Sequence, residues 1–115
     1  MPFRDGDRWN CGTLVDAVGM VEQFTAGMDF EAFREDPKTV AAVERRLQIV
    51  SEAAIRLGNE AEERVPDLAW RDIRGIGNRL RHQCERIELE AIWKFVMDDL
   101  AQLKARGLRA LVPPC

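Results

Sequence analysis

A chain of 115 residues is long enough for one self-sufficient domain, although its buried fraction is modest and a second copy would add to it. With 46% hydrophobic and 32% charged residues, eight Gly and five Pro, the composition is globular and excludes fibrous and disordered classes. A net charge of −3 excludes a protein that coats nucleic acid through a uniformly basic surface, but leaves room for a local basic patch. No window approaches the roughly 18 apolar residues of a membrane span, and MPFRDGDRWN has mixed charges with no apolar run behind them. A cytoplasmic protein without a membrane anchor is expected. Cys11, Cys84 and Cys115 are odd in number and widely spaced, which supports neither a disulfide framework nor a zinc site. With one histidine in the chain, the expectation is chemistry with no metal and no cofactor.

The first helix is expected from Asp7 to Phe24, where Leu14, Val18 and Val21 recur at helical spacing beside Ala17. Gly27 suits a C-terminal cap, and Asp29 suits the cap of a short turn that carries Phe30 and Phe33 inward as core plugs. The second helix opens on Asp36-Pro37, a capping residue followed by a proline at the first helical position. Val40, Val43, Leu47, Val50, Ala54 and Leu57 then alternate steps of three and four to draw one apolar seam, which Gly58 is expected to end. Glu44, Arg45, Gln48, Ser51 and Glu52 lie off the seam and are expected in solvent or at an interface.

Residues Glu60 to Pro66 read as a loose turn, because the residue before a proline avoids helical angles. A third long helix follows from Asp67 or Leu68, with Trp70, Ile73, Ile76 and Leu80 on its apolar face. A fourth is expected from Leu89 to Arg106, with Ile92, Val96, Leu100 and Leu103 as its stripe and Gly107 at its end. Nothing alternates as a strand does. The expected architecture is a single all-α domain over residues 1–115, an up-and-down bundle of four main helices plus short helical turns.

The third helix carries WRDIRGIGNRLRHQCERI, with the only histidine and five of the fourteen arginines. From Arg71 to Arg86 the charge is +3, so the positive charge of an acidic chain is concentrated here. In a helix, Arg74, Asn78 and His82 fall on one face with Arg71 and Arg81 at its flanks, a face able to hold an anion and move a proton. The plain alternative is a solvated helix with a packed histidine. Gly75 and Gly77 each cost a helix interior about 1 kcal/mol relative to Ala, which points to a close approach, a kink or room for a ligand. Ser51 and Cys84 have only His82 as a base, and no Gly-rich nucleophile turn or phosphate loop is present. Glu52 is expected to form a surface salt bridge, with an arginine of the third helix as one possible partner.

Four blocks in order, FEAFRED, RRLQIVSEAAIRL, VPDLAWRDIRGIGNRLRHQ and IELEAIWKFVMDDLAQLK, resemble the HepT-like branch of the HEPN domain families from about Leu14 to Leu103. The frame Trp70-x-x-Ile73-x-Gly75-x-x-Asn78-x-Leu80-x-His82 is its most specific part. The resemblance implies a small helical cytoplasmic homodimer, a ribonuclease toxin neutralised by a nucleotidyltransferase antitoxin of the MntA type. It implies a metal-independent endoribonuclease in which His82 and an arginine act on RNA at a site shared between two protomers, with Asn78 orienting the phosphate or His82. An imidazole suits proton transfer near neutral pH, and a guanidinium offers two parallel donors to a phosphate.

The departures from the family pattern fall on functional positions. Where the pattern has arginine, five residues before the histidine, this chain has Gly77; where it has tyrosine, two residues after, it has Cys84, and the chain holds no Tyr. In the family that tyrosine is the residue the antitoxin modifies with AMP, so this chain is not silenced that way at that position. Two arginines compete for the vacant role. Arg74 shares the His82 face but lies roughly 12 Å along the helix; Arg79 is one turn before His82. An arginine of the second subunit is a third source. The alternative function is a catalytically reduced HEPN protein that binds RNA, a nucleotide or its nucleotidyltransferase partner without cleavage, and a third is an interaction module alone.

Overall fold

The apolar seam of the second expected helix forms the spine of the molecule. The computed structural model describes residues 5–82 and 89–107, with side chains placed over 12–80 and 89–106. The helices are α1 (Asp5–Thr25), α2 (Phe30–Arg34), α3 (Pro37–Arg64), α4 (Trp70–His82) and α5 (Leu89–Lys94). The rod begun by α5 continues as two π-helical stretches, Phe95–Leu100 and Leu103–Gly107. No strand occurs among the described residues, so the all-α bundle is observed. No helix among them is long and apolar enough to cross a membrane. The side chains of Cys11, Arg81 and His82, and all of Cys84, Arg86 and Cys115, lie outside the described residues.

Local chemistry sets the element boundaries. Asp29 caps α2 by accepting the Ala32 N–H at 2.8 Å, and this seats Phe33, fully buried, with its ring centroid 5.1 Å from that of Trp93. Asp36 caps α3 by accepting the Thr39 N–H at 3.2 Å and the Thr39 hydroxyl at 2.8 Å. The Thr39 hydroxyl and then its N–H favour the charged form, so the Asp36 carboxyl is held below its ordinary pKa. At 28 residues α3 spans roughly 42 Å, close to the 44 Å length of the molecule. Its seam residues Val43, Leu47, Val50, Ala54 and Leu57 are buried, with α1 packed along one side and α4 along the other.

Two expectations about α3 are corrected. Gly58 does not end the helix; at φ +65° and ψ −154° it kinks it, and the helix resumes to Arg64 where a loose turn was expected. Burial explains the resumption, because Ala61 beyond the kink is fully enclosed and Val65 beyond that nearly so. The second correction concerns Ser51, which is buried rather than solvated. The corner into α4 is pinned by the Trp70 indole, whose Nε1–H donates to the Val65 carbonyl at 2.7 Å.

Candidate functional site

Three sides of α4 do three different things. Trp70, Ile73 and Ile76 are buried in the core and Leu80 is half-buried against it. A second side meets α3 so closely that only glycine fits at position 77. A Cβ there would lie 2.6 Å from the Ser51 Oγ and 2.8 Å from the Ser51 Cβ. Rotating the hydroxyl would relieve the first contact but not the second. The Ser51 hydroxyl is held in this seam by donating to the Arg74 carbonyl at 2.5 Å.

Gly75, one residue pair earlier on the open side, has nothing within 4 Å of where a Cβ would be. The two glycines should therefore respond with opposite signs. Gly75→Ala should raise stability by up to about 1 kcal/mol, the helix-propensity gain. Gly77→Ala should lower it by up to about 2 kcal/mol, because contacts under 3 Å place the overpacking cost toward the upper end of its roughly 1–3 kcal/mol range, above that gain. Urea denaturation of both variants checks this; two shifts of the same sign would contradict the geometry.

Arg74 is bound to α3. Its Nε–H donates to the Ala54 carbonyl at 3.3 Å, one terminal nitrogen donates to the Gly58 carbonyl at 2.7 Å, and the other pairs with the Glu62 carboxylate. The guanidinium also lies 5.5 Å from the centroid of a Trp70 ring. The kink is the cause. At ψ −154° the Gly58 carbonyl is turned out of the helical ladder, and the arginine supplies the donor that the helix no longer does. Arg74 is thus committed elsewhere than the face it was expected to share with Asn78 and His82. Glu52 is exposed and forms no ion pair with a described side chain, and among the described arginines of α4 the one that meets an acid is Arg74, with Glu62.

The third side of α4 opens onto a groove of about 520 Å³ between it and the rod of α5. Arg71, Asp72, Gly75, Asn78 and Arg79 line one wall, and Ala91, Lys94, Phe95, Asp98 and Asp99 the other. Phe95 is buried, while Arg71, Asn78, Arg79 and Lys94 are exposed. No described carboxylate forms an ion pair with Arg71, Arg79 or Lys94. The sequence-predicted Arg71, Asn78 and Arg79 are therefore brought together and Arg74 is set apart from them. Sequence reasoning missed the second wall, whose signal was a register of 91, 94/95 and 98/99 on one helical face.

Charge is unevenly distributed along the groove. Asp99 has its carboxyl pushed above the ordinary pKa by burial, then by the charges of Asp72 and Asp98, with Lys94 opposing. Six residues link the end of α4 to the start of α5, and Asp99 on the rod feels Asp72 at the start of α4, so the two run antiparallel. The acidic end thus lies by Asp72, and Asn78 and Arg79 lie toward His82. No group of three described His, Cys, Asp or Glu residues is arranged to hold a metal ion.

Residues 14–107 match the family model described as HepT-like, Ribonuclease HepT-like. The chain belongs to this family. The HepT-like chain is 31% identical over 93 residues to the protein named "Probable ribonuclease HepT" of Thermococcus cleftensis, covering 81% of this chain and 84% of that one. It is 32% identical over 98 residues to "Putative RNase MJ0127" of Methanocaldococcus jannaschii, covering 85% and 80%. A third relative, "Putative RNase TTE0752" of Caldanaerobacter subterraneus, is 30% identical over 103 residues, covering 90% and 86%. No solved structure matches.

Proposed function

We propose that this HepT-like protein is a metal-independent endoribonuclease, the toxin of a toxin–antitoxin pair, acting in the cytoplasm as a homodimer. The groove carries the reading: Arg79, Asn78 and Arg71 line it, exposed and outside any described ion pair, on the helix that ends at His82. Relatives named as ribonucleases support RNA as the substrate. His82 is three residues beyond Arg79 and four beyond Asn78, so helical spacing continues their face.

One imidazole takes the proton of a ribose 2′-hydroxyl, whose oxygen attacks the adjacent phosphorus. The bond to the 5′-oxygen breaks, and that oxygen receives a proton from the His82 of the second protomer. The products are a 2′,3′-cyclic phosphate and a 5′-hydroxyl. Arg79 neutralises the charge that builds on the phosphate, and Asn78 orients it. Arg74 serves as a positioning residue that fixes α4 on α3. A nucleotidyltransferase of the MntA type is the partner that restrains the enzyme.

Incubating a single-stranded RNA and its 2′-deoxy counterpart with the protein in EDTA tests this. The RNA should be cut to cyclic-phosphate ends and the DNA left whole, with Arg79→Ala slowing the reaction and Lys104→Ala not. Cleavage that requires a divalent ion, or equal cleavage of DNA, would overturn the mechanism.

A second reading is binding of RNA without cleavage. Gly77 favours it, since the position that carries arginine in the family pattern is packed against Ser51 with no space for a side chain. RNA retained intact by the protein in the same assay would select this reading.

A further inference from the structure

We infer that Lys94, on α5, is a phosphate-binding residue of the groove, so that RNA is gripped between two helices rather than laid along α4. The inference rests on the RNA-binding reading above and adds a residue on the opposite wall. Lys94 lines the groove across from Asn78 and Arg79, is exposed, and forms no ion pair with any described carboxylate. The side chains between the two walls are small at Gly75 and Ala91, which leaves room for a sugar–phosphate strand over the buried Phe95 ring.

Charge decides where along the groove the phosphate lies. Asp72, Asp98 and Asp99 gather at the end remote from His82 and repel an anion there. Arg71 sits next to Asp72 on α4 and near this end, whereas Arg79 and Asn78 lie toward His82. Because the rod runs antiparallel to α4, Lys94 comes before Asp98 and Asp99 on the way from the His82 end. Among the described side chains it is therefore the cation of the α5 wall that stands between the acidic end, where its charge reaches Asp99, and Arg79. Lysine contributes here as a point charge, and arginine as a fork.

The test is the salt dependence of binding to a 2′-O-methyl single-stranded RNA, which lacks the hydroxyl that attacks. For a single strand, each neutralised phosphate contributes about 0.7 to the slope of log K against log salt. Lys94→Gln should weaken binding several-fold at low salt and reduce the slope by about 0.7, while Lys94→Arg should restore both. Lys104→Gln, which removes a cation paired with Glu22 at 2.7 Å elsewhere on the surface, should change neither. A slope reduced by Arg79→Gln but untouched by Lys94→Gln would overturn this inference alone. A parent protein that binds no RNA would overturn the RNA-binding reading beneath it. Equal melting temperatures of the Lys94 variants exclude misfolding as the cause.

Discussion

A protein carrying His82→Ala should cleave single-stranded RNA about 10²–10⁴-fold more slowly than its parent, the range for loss of a positioned general acid–base group. That corresponds to roughly 3–5.5 kcal/mol of transition-state stabilisation. The chain has no other histidine to substitute for it. RNA binding should fall far less than turnover, because in the proposed mechanism the phosphate is held by Arg79 and its neighbours, which line the groove. Gel assays of RNA cleavage in EDTA, beside filter binding of a 2′-O-methyl RNA, separate the two quantities. If binding and cleavage fall together by the same factor, His82 is a contact rather than a catalyst.

The second large effect is on the fold. Replacing Arg74 with methionine should lower stability by about 2–4 kcal/mol, seen as a fall in melting temperature of roughly 10 °C or more. Two α3 carbonyls, those of Ala54 and Gly58, lose their charged donor, and the Glu62 carboxylate loses its cation. The Glu62 part is discounted, since that side chain is 44% exposed and its pairing is screened by water. Methionine keeps contact with Trp70 but donates nothing. Arg74→Lys should rescue little, because an ammonium on a flexible stem does not present the fork that meets Ala54, Gly58 and Glu62 together. A lysine variant that melts like the parent yet cleaves RNA poorly would instead make Arg74 an RNA contact.

The helices were legible because their signals are local. Asp36-Pro37 marks the start of α3 by capping chemistry, and Val43, Leu47, Val50 and Ala54 mark its buried face by spacing alone. Gly58 was misread for the same reason. A glycine after an apolar seam reads as a stop, whereas here burial of Ala61 and Val65 draws the helix on and an arginine 16 residues later takes the displaced carbonyl. No local pattern carries that information. Ser51 was misread because its burial depends on the missing side chain of Gly77, which belongs to another helix. On α4, spacing named Arg71, Asn78 and Arg79 but could not separate them from Arg74, which the structure turns toward α3 while the other three line the groove. The partition follows from where the α3 carbonyls point and from where the rod of α5 lies.

The bend at Gly58 also governs how much charge the groove holds. The carbonyl that the bend turns out takes the Arg74 guanidinium, which is also held by the Ala54 carbonyl and the Glu62 carboxylate and does not line the open side of α4. Gly58 and Arg74 are thus linked across two helices, so that exchanging either one would change which way the other's polar group is turned.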